Sequence, residues 1–406
     1  MAVIKPFKAI RPTRDKAHLV ATRPIASYKN NVLKAKMESN PYTFIHIIHP
    51  DLSSKTRTKP NSPERFKLIK DKFENFKANG ILLQDTEESL YLYRQSSETA
   101  EFIGVIGGAS VAEYDKGLIK KHEATLTTRE EMFTNYLDSV GFNAEPVLLF
   151  HDKHPDLENL YKEIIVERPE YEFSTTDKVK HELWVLNKKE ICQIQEYFKS
   201  FKATYIADGH HRSASSDRLA HITKGKFPNK DYFLACFIDE SNMRILEFNR
   251  LVTNVAMDTE TFLSEVQKSF VVEEIEKAAQ PESQHVMTMN LRGKWYLLKC
   301  KPEIIDENSP VASLDTEILT RFILDPILGI KDLKTDENIK FVSGNLGLKA
   351  IEKAINNKDA ELGFVLHALT VEQIRRVADN EMIMPPKSTW VEPKLRSGLT
   401  IYNIKE

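Results

Sequence analysis

The order of apolar and polar residues along the chain predicts an α/β protein in which strands and helices alternate. Near the start, Ser62 followed by Pro63 is typical of a helix N-cap and first helical position, and predicts a helix that continues to Lys77. Short apolar runs bounded by polar stretches indicate strands in the same region. These predicted strands are Tyr42 to Ile48, Ile81 to Leu83, Leu90 to Tyr93 and Phe102 to Gly107.

Helical spacing of apolar residues is clearest between Thr127 and Val140. The start of this predicted helix resembles a capping box with Thr127 as its first residue, and Gly141 follows the end as a C-cap residue would. A short strand is predicted next, from Pro146 to Phe150. The charged stretch from His151 to Lys180 shows little periodic pattern beyond one helical turn expected near Leu157 to Ile165.

A strand, a tight turn and a helix follow one another near the middle of the chain. The strand is predicted over Ala203 to Ala207, the turn is Asp208-Gly209-His210-His211-Arg212, and the helix is predicted over Ser213 to Ala220. Two further strands, Tyr232 to Ile238 and Met243 to Arg250, are expected to pair as a hairpin. Beyond about residue 260 helices and strands alternate again, which indicates a second α/β unit.

Composition and charge narrow the class of protein. With 41% hydrophobic and 29% charged residues the chain is typical of a globular protein, and 406 residues favour two domains or one domain with a large elaboration. The 57 Lys and Arg residues nearly balance the 59 Asp and Glu residues, which argues against nucleic acid as a partner. The three cysteines are far apart, so neither a zinc knuckle nor a disulfide framework is indicated. No apolar stretch reaches the roughly 18 residues of a membrane span, and we expect a cytoplasmic protein without a membrane partner.

The turn at Asp208 to Arg212 carries the chemistry. A strand that leads through Gly209 into a helix leaves backbone N–H groups unpaired at the helix start, where the helix dipole favours an anion such as phosphate. Arg212 offers two parallel donors to phosphate oxygens, and Asp208 offers a carboxylate to Mg²⁺. The same five residues are also compatible with a polar surface turn that bears two solvated histidines.

Several sequence blocks, in matching order, resemble a known family. They are Ile4 to Phe7, Asn40 to Phe44, His122 to Leu126, Ala207 to Arg212 and Met384 to Lys394. The chain resembles the ParB-like family numbered 1015 among domains of unknown function, whose relatives include free serine kinases of the ParB/sulfiredoxin-like fold. The resemblance implies an α/β (α+β) fold in which an N-terminal elaboration (residues 1–100) packs on a ParB/sulfiredoxin-like nucleotide-binding core (101–255). A C-terminal α/β domain (256–406) is expected to return a Pro-Lys-Ser-Thr element to the site.

The resemblance also implies roles for individual residues. Glu123 corresponds to the proposed general base for the serine hydroxyl, and Asp208 and His211 complete the catalytic group, with Asp208 as the Mg²⁺ ligand. The implied cofactors are ADP or ATP with Mg²⁺, and the implied substrate is free L-serine or a similar compound. The residues expected to contact the nucleotide or substrate are Gly209, His210, His211, Arg212 and Ser213 of the turn, and Lys387, Ser388 and Thr389 of the late Pro386-Lys387-Ser388-Thr389 element.

Two features depart from the family pattern, and a third argues against one chemistry of the related fold. Ser213 stands where many relatives have an aromatic residue, and residues 1–100 have no counterpart in the compact serine kinases. The absence of a cysteine at His210 argues against sulfiredoxin-like redox chemistry. Two other functions remain open at this point: a ParB-type switch that uses CTP to control a DNA or protein partner, and a noncatalytic interaction protein.

Two histidine pairs are interpreted as structural or solvated. His46 and His49 are expected on opposite faces of a strand, where they cannot share a metal ion. His151 and His154 are expected in a charged loop, solvated and without a third ligand.

Overall fold

The computed structural model describes residues 2–52, 57–223 and 225–406. The chain forms two compact units. The first comprises residues 1–121, 125–243 and 393–406, and the second comprises residues 122–124 and 244–392. Both units mix helices and strands, so the expected α/β class is confirmed. The sequence-based segments 1–100, 101–255 and 256–406 differ from these units, because strands on either side of residue 100 belong to one sheet and the second unit begins at Arg244.

The first unit contains most of the helices. Ser62 caps the fourth of them as predicted, because its hydroxyl accepts a hydrogen bond from the Arg65 N–H at 3.2 Å and Pro63 takes the first position. Its helices are α1 (Ala17–Val20), α2 (Asn30–Ser39), α3 (Ile45–Ile48), α4 (Pro63–Ala78), α5 (Val111–Asp115), α6 (Thr127–Val140), α7 (Pro155–Ile164), α8 (Lys188–Phe198) and α9 (His210–Ile222).

Among the described residues, nine strands of the first unit form a mixed sheet, while β2 pairs with β3 and β7 pairs with β20 in two small separate sheets. The order of the mixed sheet is β6-β11-β8-β12-β5-β4-β10-β9, with β1 added to β5, where the labels follow the chain. Strand β8 runs antiparallel to β11 and parallel to β12. The strands are β1 (Ile4–Lys5), β2 (Ile10–Pro12), β3 (Leu82–Gln84), β4 (Tyr91–Ser96), β5 (Glu101–Ser110), β6 (Ile119–Lys120), β7 (Phe142–Asn143), β8 (Val147–His151), β9 (Tyr171–Ser174), β10 (Lys180–Val185), β11 (Thr204–Asp208) and β12 (Tyr232–Asp239).

Two apolar cores stabilise the first unit. One lies between the sheet and helices α7 and α8, where Leu160 and Ile194 pack against strand residues such as Leu149. The other joins α3, α4 and the end of α6, where Phe66, Phe73 and neighbouring side chains are buried. Residues 1–100 therefore do not form a separate domain, because their apolar face is buried against the rest of this unit.

The second unit is built on an antiparallel sheet with order β14-β16-β15-β18-β13-β17, and β19 pairs with β13. Its core lies between this sheet and α10 and α11, and a smaller cluster packs under α12. After this unit the chain returns to the first one and ends with β20 (Tyr402–Asn403) beside β7. The elements of the second unit are β13 (Arg244–Val252), α10 (Thr259–Val266), β14 (Phe270–Ile275), β15 (Val286–Leu291), β16 (Lys294–Cys300), α11 (Asp315–Leu319), β17 (Ile339–Ser343), α12 (Leu348–Asn356), β18 (Leu362–Val365), α13 (Val371–Asp379) and β19 (Thr389–Glu392).

Some predicted elements were wrong for identifiable reasons. The run from Tyr42 to Ile48 forms no strand, and its last four residues form helix α3, because a short apolar run fits either element. The α6 N-cap is Leu126, without a side-chain cap, so the capping box at Thr127 does not form. Strands β12 and β13 do not form a hairpin, because β12 lies in the sheet of the first unit and β13 lies in the sheet of the second unit. In the stretch from His151 to Lys180, α7 coincides with the helical turn expected near Leu157 to Ile165, whereas β9 was not predicted.

Candidate functional site

The turn after β11 has the geometry of an anion-binding helix start. Strand β11 has a bulge between Ile206 and Asp208, and Gly209 follows with φ +106° as the residue before α9. In the part of the chain that the structure describes, no side chain caps this helix, whereas α4, α7, α8, α10 and α13 each have a side-chain cap. The Gly209 carbonyl accepts hydrogen bonds from the Arg212 N–H at 2.9 Å and from the Ser213 N–H at 3.1 Å, which closes the first turn of α9. The dipole of a helix favours an anion at such a start.

Arg212 lies folded over this turn. Its guanidinium NH2 atom is 3.5 Å from Asp208 Oδ2, and its NH1 atom is 3.2 Å from Glu145 Oε1. NH1 also donates to the backbone carbonyls of Glu145 and Pro146. A Cβ atom at Gly209 would lie 3.1 Å from the guanidinium, so the glycine permits both the backbone conformation and this close approach. The structure thus brings Asp208, Gly209 and Arg212 together at one turn.

A second cation reaches Asp208 from the end of the chain. Lys394 Nζ lies 3.4 Å from Asp208 Oδ2. Burial by itself raises the pKa of a carboxyl group, but the charges of Lys394 and Arg212 outweigh it and hold the pKa of Asp208 below its usual value. The carboxylate is therefore ionised at neutral pH. Sequence analysis did not assign Lys394 to the site, because 186 positions separate it from Asp208 and its local sequence contains no motif for this contact.

The other residues of the turn occupy distinct environments. His210 is buried and His211 is half-buried at the start of α9. Ser213 is completely buried, and its hydroxyl donates to the carbonyl of His210 at 3.0 Å. The hydroxyl thus bonds within its own helix, while the main chain of Ser213 remains part of the helix start. The roles of His210, His211 and Ser213 remain predictions.

An apolar cavity adjoins Arg212. Its volume is about 550 Å³, and all of its lining residues belong to the first unit. Arg212, Ser215 and Ser216 present one face of α9 to it, and Glu145 lies at the same end. The opposite walls are apolar and come from the N-terminal helices and α6: Ile48, Phe66, Ile69, Met132, Phe133 and Tyr136. Sequence analysis missed this cavity, since no local pattern reveals which apolar side chains leave a space between them.

The remaining predicted residues lie in the second unit. Glu123 is half-buried in a bend, and the residue before it, His122, accepts a hydrogen bond from the Met384 N–H at 2.9 Å. This bond ties the Glu123 segment to the segment that precedes the Pro-Lys-Ser-Thr element. Glu123 therefore belongs to the same unit as Lys387, Ser388 and Thr389, whereas Asp208 to Ser213 belong to the first unit.

The Pro-Lys-Ser-Thr element is a well-bonded turn. Lys387 is exposed, with φ +58°, and its ammonium lies 5.5 Å from the centre of the Phe248 ring. Ser388 is buried and its hydroxyl donates to the Pro385 carbonyl at 2.7 Å. Thr389 begins β19. Of the three, the exposed Lys387 ammonium is the group most accessible to a ligand.

The fold and the turn define an α/β protein in which one helix start is flanked by two cations and a carboxylate. The chain belongs to the family described as protein of unknown function (DUF1015), whose model matches residues 4–317. No curated protein matches it. None of the described helices combines the length and the apolar character needed to cross a bilayer.

Solved structures of distant relatives include several free serine kinases. One, in complex with AMP, is 13% identical over 74% of this chain and 91% of its own, with a TM-score of 0.39. A mutant free serine kinase in complex with ADP is 14% identical, covers 74% and 92%, and has the same TM-score. SbnI with a C-terminal truncation, from Staphylococcus aureus, is 12% identical, covers 73% and 87%, and has a TM-score of 0.41. Similarities of this size assign no residue a role in this chain.

Proposed function

We propose that the protein is a phosphotransferase that binds a nucleotide with Mg²⁺ at the Asp208–Arg212 turn and phosphorylates a small hydroxyl compound, with free L-serine as the first candidate acceptor. The observation that carries the proposal is the arrangement around Asp208. A helix start without a side-chain cap, two cations within 3.5 Å of one carboxylate, and a glycine that admits close approach occur at one turn. Nucleotide phosphates need this combination of donors and charge.

The roles of the charged groups follow from the chemistry of phosphoryl transfer. The reaction depends mainly on in-line positioning and on neutralising charge on the phosphoryl oxygens. Arg212 is oriented by Glu145 and two carbonyl groups, so little side-chain freedom remains to be lost when it binds phosphate. Lys394 adds a second positive charge at the same carboxylate. These two residues bind and orient the phosphates.

Asp208 fits the requirements of a Mg²⁺ ligand. Its carboxylate is partly exposed and its pKa lies below the usual value, so it is ionised when the nucleotide binds. Mg²⁺ in nucleotide sites is typically held by one or two carboxylates together with phosphate oxygens and water. The metal would supply charge neutralisation between the phosphates. Asp208 would fix its position at the helix start.

The nucleotide base is proposed to bind in the apolar cavity next to Arg212. Because Arg212 both covers the turn and lines the cavity, a ligand with phosphates at the turn can extend directly into that space. A volume of about 550 Å³ lies within the range of about 300 to 1,000 Å³ typical of small-molecule sites. The walls are aromatic and aliphatic, which suits a flat base. We propose ADP or ATP as the donor, in line with the family resemblance of the turn.

Glu123 is proposed as the base that accepts the proton of the acceptor hydroxyl. Phosphorus NMR of the protein with Mg²⁺, L-serine and either ADP or ATP tests the activity directly, and we expect a phosphoserine signal. Absence of phosphoserine with both nucleotides, while nucleotide binding persists, would reject serine as the acceptor. A preference for CTP together with DNA binding would instead support a switch.

Glu123→Gln tests the assignment of the base. The substitution keeps the shape of the side chain but removes its basicity, so turnover should fall by about 100-fold or more, the usual scale of general base catalysis. Nucleotide affinity should stay within two-fold by calorimetry. The exposed Glu98→Gln serves as the control and should leave turnover unchanged. Normal turnover by Glu123→Gln would contradict the role.

A further inference from the structure

The histidines at 151 and 154 occupy positions that the sequence did not predict. Instead of a solvated loop, His151 is the last residue of β8 and is completely buried. His154 caps α7, with Nδ1 accepting a hydrogen bond from the Leu157 N–H at 3.3 Å. A cavity of about 140 Å³ borders both residues, within the first unit.

This cavity lies at the opposite end of the strands from the Asp208 turn. Strands β8 and β12 are parallel neighbours, and His151 pairs with Asp239 in register. Their side chains therefore leave the sheet on the same face. Strand β11 runs antiparallel to β8, so Asp208 lies beside the beginning of β8 and His151 lies at its end. The cavity is thus separate from the proposed phosphate site.

The hydrogen bond of His151 Nδ1 fixes the tautomer of the ring and leaves the lone pair on Nε2. Its Nδ1 atom lies 2.8 Å from the carbonyl oxygen of Asp152, which can only accept, so Nδ1 carries the proton. Burial lowers the pKa of His151 to about 4, so the ring is neutral at physiological pH and Nε2 is unprotonated. The ring stacks on Phe201, with centres 4.4 Å apart. Nε2 is buried and meets no hydrogen-bond partner among residues 2–52, 57–223 and 225–406.

Two further polar groups of the cavity are incompletely bonded. The buried hydroxyl of Tyr161 has no partner in the described parts of the chain. Asp239 is also buried, and its Oδ1 atom accepts from the Ser241 N–H at 2.8 Å and from the Ser241 hydroxyl at 2.5 Å. Oδ2 accepts no hydrogen bond from any described residue. Buried polar atoms without partners are costly unless a ligand or water satisfies them.

The charge of the walls selects the kind of ligand. Asp239, Glu158 and Glu101 line the cavity. Glu158 is paired with the lining Lys162 at 2.7 Å and Glu101 with Arg94 at 3.8 Å, whereas Asp239 has no ion pair with any described residue. The cavity therefore offers acceptors and negative charge to a ligand rich in donors. A volume of about 140 Å³ corresponds to about five waters at about 30 Å³ each. Among the described residues, the His, Cys, Asp and Glu side chains close enough to share one metal ion are those of Asp115, Asp217 and His221. None of these three residues lines the cavity.

We propose that this cavity binds a compact primary ammonium compound, whose N–H groups donate to His151 Nε2 and to the Asp239 carboxylate while Tyr161 supplies a third polar contact. The Asp239 charge balances the ammonium charge, which is required when an ion leaves water. The proposal does not depend on the phosphotransferase activity. It concerns residues that take no part in nucleotide binding.

NMR of ¹⁵N-histidine-labelled full-length protein at pH 7.5 tests the proposal. Methylammonium and ethylammonium chloride are titrated at constant ionic strength, with potassium chloride and tetramethylammonium chloride as controls, and the His151 signal is assigned by its loss in His151→Gln. We expect an unprotonated Nε2 whose signal moves saturably with either primary ammonium ion. Tetramethylammonium has no N–H donor and should leave the signal unchanged. A protonated Nε2, or equal responses to both kinds of ion, would overturn the proposal.

Conservative variants separate binding from folding. Asp239→Asn keeps the shape of the side chain but removes its charge and should weaken binding at least ten-fold. Tyr161→Phe removes only the hydroxyl and should weaken binding several-fold. Asp156→Asn, exposed on the same helix α7 and outside the cavity, is the matched control and should bind normally. A crystal soaked with ethylammonium that shows only water in the cavity, or normal binding by Asp239→Asn, would defeat the inference.

Discussion

At the scale of single residues, the candidate site depends on a glycine and on charges that come from distant positions. Gly209 is required for two reasons. Its φ of +106° is unfavourable for other residues, and a Cβ atom at this position would lie 3.1 Å from the Arg212 guanidinium. The motif Asp208-Gly209-His210-His211-Arg212 could be recognised in the sequence, since all of its members are neighbours. Lys394 and Glu145 could not, because only folding brings them to the same turn.

Gly209→Ala separates these two demands. We expect a loss of about 1 to 2 kcal/mol in the free energy of unfolding from the backbone conformation, together with at least ten-fold weaker binding of ADP because Arg212 is displaced. Urea denaturation and calorimetry measure the two effects. Gly117→Ala is the matched control, since Gly117 also has a positive φ of +68° but no atom within 4 Å of the added Cβ. ADP binding equal in the two variants would show that Arg212 does not hold the phosphates.

At the scale of elements, helix start signals were informative where the side chain truly capped the helix. Ser62 and Pro63 predicted the start of α4 correctly, because the Ser62 hydroxyl accepts a backbone N–H in the first turn. Thr127 looked similar in sequence, yet it is already inside α6 and caps nothing. The difference lies in which residue takes the extended N-cap conformation, namely Ser62 itself in α4 but Leu126 in α6.

Helix α6 also provides a test of the cavity. Met132 lines the cavity, whereas Asn135 is exposed and lies outside it. Met132→Trp should fill part of the space and weaken ADP binding about ten-fold while leaving the affinity for inorganic pyrophosphate unchanged, because pyrophosphate needs only the turn. Asn135→Trp should affect neither ligand. Isothermal calorimetry with both ligands checks this, and an equal loss of pyrophosphate binding would place the effect at the turn and argue against a base in the cavity.

At the scale of the whole molecule, the two units should respond differently to acid. Burial lowers the pKa of His49 and His151 to about 4 and that of His181 to about 3, and all three lie in the first unit. Between pH 6.5 and about 4 the unfolded chain binds protons at these histidines and the folded unit does not, so stability falls as pH decreases. Each histidine contributes at most about 1.4 kcal/mol per pH unit.

Buried carboxyl groups act in the opposite direction. Burial raises the pKa of Asp217 in the first unit and of Asp315 in the second to about 6. As the pH falls, a carboxyl group with a raised pKa binds its proton in the folded state at a higher pH than in the unfolded chain. Between pH 6 and 3.8 these two residues therefore increase the free energy of unfolding as the pH decreases. The first unit has three histidines with lowered pKa values and two carboxyl groups, Asp217 and Glu113, whose pKa is raised by burial. In the second unit burial raises the pKa of Asp315 and of Glu317.

Hydrogen exchange at pH 7.5 and 4.5, corrected for intrinsic rates, checks the expected difference. Peptides of the first unit should lose protection at pH 4.5 while peptides of the second unit retain it. His151→Phe should reduce the pH dependence of the first unit by about 1.4 kcal/mol per pH unit, and the exposed His18→Gln should not change it. Earlier loss of protection in the second unit would contradict the assignment.

The sequence by itself determined the α/β class, most of the longer helices and strands, the family and the strand–turn–helix at Asp208 to Arg212, because each of these is encoded by residues that are close neighbours along the chain. The tertiary structure decided what depends on distant residues. It placed Lys394 at Asp208, joined residues 1–100 to the first unit, and assigned Glu123 and Lys387 to the second. It also buried His151 beside Asp239. The physical reason is that packing and strand pairing, rather than local propensity, bring such residues together.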